Sequence, residues 1–331
     1  MKPTATKNVV TRREILQAAA TLAGGALLGQ FYPQESIYAA TASHPQQSPP
    51  DQLEAIRAQF GGTPIQTQML HENIFLLSGP GGNIVVLNGP DGKLMGDTFV
   101  APAWPKLKET LDGLGKSPIK TVIDTHWHFD HADNNGALHA AGALILAHEN
   151  TKKRMSETHY LAVINVKSVP SPAGALPQQT FQQSHKLQVN GESVMLTHVP
   201  PAHTDSDIYI HFQKANILQT GDIFFNGMYP YIDGGTGGSV SGMIAGADKL
   251  LAVVDDNTKI VPGHGPLGNK AELAKYRDML STVRDHLQKV KSSGKSLQEA
   301  VAARPLDGLE EIWGKGLFNN DTFVQIAYPF L

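Results

Sequence analysis

Thr125-His126-Trp127-His128-Phe129-Asp130-His131 is the most informative segment of this 331-residue chain. It follows an apolar run, residues 121–124, that is typical of a buried strand. His126 and His128 are two residues apart, so both imidazoles project to the same side of an extended chain. Neutral imidazoles and carboxylate oxygens are the ligands that zinc and similar divalent ions prefer. The segment therefore predicts a metal site at the end of a strand.

Three further ligand candidates lie where other predicted strands end. His203 lies in Pro200-Pro201-Ala202-His203-Thr204-Asp205, Asp222 in Thr220-Gly221-Asp222, and His264 in Pro262-Gly263-His264-Gly265. Strand ends are where open α/β sheets place their sites, so these residues extend the ligand set enough for two metal ions. His198, five residues before His203, lies within an alternating strand pattern and is interpreted as structural.

In type and order, seven residues resemble the ligand set of the metallo-β-lactamase hydrolase superfamily: His126, His128, Asp130, His131, His203, Asp222 and His264. The resemblance covers about residues 65–270. It implies an α/β fold of the αββα sandwich type, in which two β-sheets face each other and helices cover both outer faces. It also implies a first metal on His126, His128 and His203, a second metal on Asp130, His131 and His264, and Asp222 bridging both.

The resemblance further implies a zinc-dependent hydrolase with two Zn²⁺ ions per chain, iron and manganese being alternatives. In such an enzyme a metal-bridging hydroxide attacks an activated or cyclic acyl bond, namely a lactone, thioester or β-lactam. Asp130 is the predicted catalytic residue, which orients the nucleophile and handles its proton. The alternative is a non-hydrolytic metal protein on the same scaffold, either an iron oxygenase or a zinc carrier. The complete ligand set favours the hydrolase, because a carrier needs no second, water-activating site.

The chain contains no cysteine, which excludes disulfides, iron–sulfur clusters, thiol nucleophiles and lactamases with a cysteine ligand. Asp222 takes the place of that ligand, and an Asp there resembles thioester and lactone hydrolases such as glyoxalase II. The following residues, Ile223-Phe224-Phe225-Asn226, include no cation that could bind a drug carboxylate. That disfavours a dedicated β-lactamase, although a periplasmic location would favour one.

A small-molecule substrate is expected. The floor of its binding site is predicted to be Met228-Tyr229-Pro230-Tyr231-Ile232. A glycine-rich loop, residues 233–241, follows and indicates mobility or close approach of a ligand. Four side chains are predicted to contact the substrate: Trp127, Asn226, Tyr229 and Tyr231. The formal net charge of -3 argues against nucleic acid as a partner.

Residues 1–42 resemble a twin-arginine export signal. Arg12 and Arg13 precede a mildly apolar stretch, residues 15–28, and Ala40-Thr41-Ala42 offers a cleavage site. The stretch is too short and too weakly apolar to span a bilayer comfortably. We therefore expect recognition by the twin-arginine export machinery, cleavage near Ala42, a bacterial periplasmic location and no stable membrane insertion after cleavage. A Sec signal or an uncleaved anchor is the alternative.

The rest of the chain is predicted to form one unit. Residues 43–60 are interpreted as a flexible linker, since their first half is rich in Ser, Gln and Pro. Residues 61–331 are predicted to form a metallo-β-lactamase-like catalytic domain with C-terminal helices, because strand and helix patterns alternate throughout. The longest helical pattern covers residues 271–290, and a closing helix is predicted over residues 321–328.

Overall fold

Two β-sheets lie face to face in the computed structural model, which describes residues 52–331. The helices are α1 (Gln52–Gly62), α2 (Trp104–Gly113), α3 (Phe129–Ala132), α4 (Asn135–Ala140), α5 (Glu149–Met155), α6 (Val240–Leu251), α7 (Lys270–Ser292), α8 (Leu297–Ala302), α9 (Glu310–Trp313) and α10 (Asn320–Ala327). The strands are β1 (Gln66–His71), β2 (Ile74–Gly79), β3 (Gly81–Leu87), β4 (Lys93–Gly96), β5 (Ile119–Ile123), β6 (Leu144–His148), β7 (His159–Leu161), β8 (Val166–Ser168), β9 (Gln179–Phe181), β10 (Ser184–Val189), β11 (Glu192–His198), β12 (Ile208–Phe212), β13 (Ile217–Gln219) and β14 (Lys259–Val261).

The larger sheet has the strand order β1-β2-β3-β4-β5-β6-β9 and the smaller sheet the order β10-β11-β12-β13-β14. The larger sheet is antiparallel from β1 to β4 and parallel from β4 to β9. The smaller sheet is antiparallel except for its last pair, β13 and β14. Strands β7 and β8 form a separate antiparallel hairpin.

Successive side chains along each strand point to opposite faces of its sheet, so one core forms between the sheets and another forms outside each sheet. Val85 and Leu87 of β3 pack in the inner core with residues of β12, whereas Ile84 and Val86 pack on the outer face. There they meet Leu107 and Leu111 of α2. In the smaller sheet, Ile217 faces the inner core and Leu218 faces the layer formed by α6 and α7. The predicted αββα sandwich is therefore confirmed, as are the predicted helices over residues 271–290 and 321–328.

The predicted signal and most of the predicted linker lie outside the described residues. Residues 52–60, the described end of that linker, belong to helix α1. Leu53 and Ile56 pack against the cluster around Trp127, and Arg57 forms two 2.7 Å hydrogen bonds with the carboxylate of Asp133. Among residues 52–331, no helix combines the length and the apolar character that crossing a membrane requires.

Candidate metal centre

The predicted ligands converge at one edge of the sandwich, each in the segment that follows a strand. His126 to His131 follow β5, His203 follows β11, Asp222 follows β13 and His264 follows β14. Single ligand atoms of His126, His128, His203 and Asp222 lie within 4.8 Å of one another, and those of Asp130, His131 and His264 form a second such group. Apart from His264, which is partly exposed, these side chains are buried. The structure thus brings all seven predicted ligands together.

Hydrogen-bond partners fix the tautomers of His128 and His203. His128 Nε2 lies 3.1 Å from Asp233 Oδ2, and because a carboxylate only accepts, Nε2 carries the hydrogen. His203 donates from Nδ1 to the carbonyl of Tyr231 at 2.8 Å. The remaining nitrogens, His128 Nδ1 and His203 Nε2, therefore carry lone pairs and lie 2.8 Å apart. Two lone pairs cannot hydrogen-bond to each other, but both can bind one cation.

His126 adds a third lone pair to this point. The hydroxyl of Thr125 donates to Asp97 Oδ2 at 2.9 Å, so its oxygen is free to accept from His126 Nδ1 at 3.2 Å. That leaves His126 Nε2 without hydrogen, 3.1 Å from His128 Nδ1. Three imidazole lone pairs directed at one point match the donor set of a zinc site.

The second group brings two imidazole nitrogens and two carboxylate oxygens together. His131 donates from Nδ1 to Asp97 Oδ2 at 2.9 Å, which leaves its Nε2 facing His264 Nε2 at 3.4 Å. Asp130 Oδ2 lies 3.2 Å from His264 Nε2, and Asp222 Oδ1 lies 3.1 Å from His131 Nε2. Oδ1 of Asp222 is buried and accepts no hydrogen bond. An orphaned carboxylate oxygen among imidazole nitrogens fits a cation ligand.

The electrostatics of the site favour bound cations. Burial opposes ionisation of Asp130, but His131 and His264 outweigh it and lower the pKa of Asp130 to about 2. The pKa of Asp222 is likewise held well below its usual range by His264 and the other imidazoles, against the effect of burial. These carboxylates raise the pKa of His264 to about 9, although burial alone would lower it. The cluster therefore contains two buried carboxylates whose negative charge a divalent ion would balance.

Two glycines allow the ligand loops to approach each other closely. A Cβ atom added at Gly82 would lie 2.1 Å from Cε1 of His131, and one at Gly263 would lie 1.9 Å from Oδ1 of Asp222. Any larger residue at either position would displace a ligand. Neither glycine was predicted from the sequence to have a role in the site.

Three buried carboxylates that were not predicted from the sequence hold the ligands in place. Asp97 follows β4 and contacts His131 and Thr125. Asp207 accepts from the backbone N–H groups of His203 at 2.7 Å and Thr204 at 2.9 Å. Asp233 contacts His128, and despite its burial the hydrogen bonds from His128 and Thr236 lower its pKa. Such outer contacts orient metal ligands and set their tautomers.

We expect Asp233→Ala to weaken binding of the first metal by roughly 10–100-fold, because His128 loses the partner that fixes its tautomer. Metal affinity is measured by chelator competition, site by site. Asp233→Asn keeps an acceptor for His128 and should retain part of the affinity. Asp256→Ala is the matched control, since that side chain is 94% exposed. Wild-type affinity in Asp233→Ala would contradict the role.

Tyr231 is the predicted substrate residue that combines exposure with proximity to the ligands. Its ring centroid lies 5.9 Å from that of His128 and 6.0 Å from that of His203. The side chain is partly exposed, and its backbone carbonyl accepts the hydrogen bond from His203. Tyr231 thus borders the first ligand group directly.

The other predicted substrate residues are buried and already have partners. Tyr229 is 0% exposed, its hydroxyl bonds Asn320 at 2.8 Å, and its ring stacks on Phe323. Asn226 donates from its side chain to the carbonyl of Pro266 at 3.0 Å. Trp127 is 4% exposed and packs edge-on against His128. These three side chains support the walls of the site and offer little surface to a substrate.

His198 lies outside both ligand groups, as its structural interpretation predicted. Its ring stacks on His148 with centroids 3.8 Å apart, and its Nε2 lies 3.1 Å from the carbonyl of Asp205.

Comparison with known proteins agrees with this geometry. The family profile of the metallo-beta-lactamase superfamily matches residues 77–264, a range that contains all seven ligands. The acyl-coenzyme A thioesterase MBLAC2 of Gallus gallus is 25% identical over 208 residues, which cover 58% of this chain and 72% of that protein. Its Homo sapiens counterpart is 23% identical over the same coverage.

Solved structures share the fold. The metallo-beta-lactamase from Pontibacter korlensis superposes with a TM-score of 0.53 at 17% identity, over 66% of this chain and 99% of that chain. The sec-alkylsulfatase Pisa1 from Pseudomonas sp. superposes with a TM-score of 0.57 at 14% identity, over 84% of this chain and 51% of that chain. At these identities the likeness concerns architecture alone.

Proposed function

Because this chain belongs to the metallo-beta-lactamase superfamily, we propose that it is a zinc-dependent hydrolase of acyl thioesters. Superfamily membership makes it a metal-dependent hydrolase, and the proposal adds the metal and the substrate class. The observation that carries the proposal is the convergence of three imidazole lone pairs, from His126, His128 and His203, beside two anionic carboxylates. A packing role for the histidines does not account for lone pairs that face each other at 2.8 Å.

We assign two zinc ions to the centre. His126, His128 and His203 would hold the first, and Asp130, His131 and His264 the second. The two oxygens of Asp222 face different groups: Oδ2 lies 3.4 Å from His203 Nε2, and Oδ1 lies 3.1 Å from His131 Nε2. That orientation supports a bridging role. Nitrogen and carboxylate donors suit zinc, with iron and manganese as the alternatives that metal analysis would distinguish.

Bound zinc would supply Lewis acidity, which activates water and polarises an acyl carbonyl. The contribution of the chain is to position and ionise its own groups. Asp130 Oδ2 faces His264 and His131, which leaves Oδ1 to orient the attacking water and to accept its proton. The low pKa of Asp130 keeps its carboxylate negatively charged, so that it can hold a cation and accept a hydrogen bond from the attacking water. The buried walls limit access of bulk water to the ligands.

Several observations favour a thioester over a β-lactam. Asp222 replaces the cysteine ligand of one lactamase class, and residues 223–226 include no cation for a drug carboxylate. Two relatives that match most of their own length are named as acyl-coenzyme A thioesterases. A thioester also suits the mechanism, because its thiolate leaving group departs without the protonation that an amine requires.

A hydrolysis panel on the metal-loaded protein tests the proposal. We expect hydrolysis of acyl thioesters, its loss on treatment with a chelator, its recovery on addition of zinc, and two zinc ions per chain. A higher kcat/KM for lactones or β-lactams than for every thioester would reassign the substrate. One iron per chain with oxygen consumption would instead support the oxygenase.

We also propose export of the folded protein by the twin-arginine route, on the basis of Arg12 and Arg13 before a weakly apolar stretch. Changing both arginines to lysine should leave uncleaved precursor in the cytoplasm, because that route depends on the arginine pair. Cell fractionation and blotting measure the result, with Lys2→Arg and Lys7→Arg as the control that preserves charge. A normal periplasmic yield from the double lysine variant would overturn the route.

A further inference from the structure

The end of the chain builds one side of the site, although it lies beyond the family match. We call residues 313–331 the C-terminal segment and residues 228–238 the substrate loop. The backbone N–H of Tyr229 donates to the carbonyl of Trp313 at 3.1 Å, and the Tyr229 ring stacks on Phe323 with centroids 4.3 Å apart. The substrate loop is therefore bound to a part of the chain that follows the superfamily's matched residues.

Close contacts at two glycines bring the two segments together. A Cβ atom at Gly234, in the substrate loop, would lie 2.2 Å from the ring of Phe330. A Cβ atom at Gly316, in the C-terminal segment, would lie 2.3 Å from Cβ of Met228. Neither contact leaves room for a side chain, so the path of the substrate loop depends on the C-terminal segment.

An apolar surface results beside the first ligand group. Phe318 of the C-terminal segment lies next to Tyr231, with ring centroids 6.2 Å apart, and Tyr231 borders His128 and His203. Both side chains are partly buried and keep some exposed surface. We call Tyr231 and Phe318 the acyl surface.

We propose that Phe318 determines substrate specificity by binding the apolar acyl chain of the substrate on the acyl surface. The inference rests on the proposed thioester hydrolysis. A carbonyl carbon held at the metal centre places its attached chain within reach of Tyr231, and Phe318 extends the apolar surface beyond Tyr231. Burial of each methylene there contributes about fourfold to kcat/KM. The substrate class would be thioesters of medium or long acyl chains.

A cavity beside Trp127, lined by both apolar and polar side chains, is the competing location for the acyl chain. It has a volume of about 290 Å³ and is lined by residues that include Leu53, Trp127, Phe129 and Met155. None of the seven ligands is among its lining residues. Trp127 and Phe129 alternate with the ligands in sequence, so this cavity lies behind residues 126–131, which we call the ligand loop. The acyl surface is therefore better placed to receive a chain attached to the reacting carbonyl.

Kinetics with thioesters of different chain length test the inference in the full-length, metal-loaded protein. Acetyl and octanoyl thioesters are compared in wild type, Phe318→Ala and Phe318→Leu. We expect Phe318→Ala to lower the octanoyl-to-acetyl ratio of kcat/KM by at least about fivefold, mainly through KM. Phe318→Leu should give an intermediate ratio, and it decides the question if Phe318→Ala does not fold. Ile312→Ala, 65% exposed in the neighbouring helix, should leave the ratio unchanged.

Each contrary outcome has a distinct meaning. A wild-type ratio in both Phe318 variants would overturn the acyl surface while the thioesterase proposal stands. A ratio that falls in Leu53→Ala but not in the Phe318 variants would place the acyl chain in the cavity behind the ligand loop. Failure of the wild type to hydrolyse either thioester would overturn the proposed function and this inference with it.

Discussion

His128→Ala is expected to lower turnover by at least ~10³-fold, because the first metal would keep only two of its three imidazole ligands. His128 Nδ1 lies 2.8 Å from His203 Nε2 and 3.1 Å from His126 Nε2, so its removal opens the centre of the first group. It also leaves the buried carboxylate of Asp233 without its imidazole partner. Steady-state turnover and metal content per chain are measured on the same preparation.

His198→Ala is the matched control for this experiment. His198 is the last residue of β11, five residues before His203, and its ring stacks on His148. It belongs to neither ligand group. Its replacement can affect stability, but it should leave the number of bound metal ions unchanged. Near-normal turnover with full metal content in His128→Ala would show that the ligand assignment is wrong. Loss of one metal ion in His198→Ala would show that His198, and not His203, is the ligand in this region.

The ligands were predictable from the sequence because their signal is local. Histidines at spacing two after an apolar strand project together whatever the rest of the chain does. His203, Asp222 and His264 each follow a strand, and both sheets direct these strand ends to one edge. The sandwich itself was predictable only through the resemblance that these residues carry, since strand patterns alone do not determine which strands pair.

The residues that orient the ligands were not predictable, because their partners are distant in the chain. Asp97 is 34 residues from His131, and Asp233 is 105 residues from His128. In the sequence each is a single Asp in a polar turn, which is indistinguishable from a solvated surface residue. Only the fold brings these carboxylates to the imidazoles. For Asp97, the one sequence feature that could have indicated a role in the site was its position directly after β4.

The different roles of Tyr229 and Tyr231 in the substrate loop were likewise not predictable from the sequence, because they depend on distant partners. They are two residues apart and chemically alike, yet Tyr229 is buried against Phe323 and Asn320 while Tyr231 borders the ligands. The difference arises from the C-terminal segment, whose residues lie about ninety positions later. The helix over residues 52–60 was missed for a related reason, since its stability depends on the distant Asp133 and on the cluster around Trp127.

Asp222→Asn is expected to lose one metal ion preferentially, with activity falling together with that occupancy. The substitution keeps the shape of the side chain but removes one of the two negative charges among the ligands. Oδ1 of Asp222 is buried, accepts no hydrogen bond and lies 3.1 Å from His131 Nε2. An amide there is a weaker ligand and does not offset the repulsion between two neighbouring divalent cations.

The second metal should be lost first, because the first retains three imidazoles whereas the second retains two imidazoles and Asp130. Excess zinc should restore part of the activity, since the remaining ligands are intact. Asp222→Cys should restore binding of two metals, because a thiolate supplies a negative ligand, although it coordinates one ion instead of both. Metal content by elemental analysis and turnover, both measured across a zinc titration, distinguish these variants. If Asp222→Asn holds two tight metals at wild-type turnover, then Asp222 is a turn residue after Gly221, and the two-metal centre depends on the other six ligands alone.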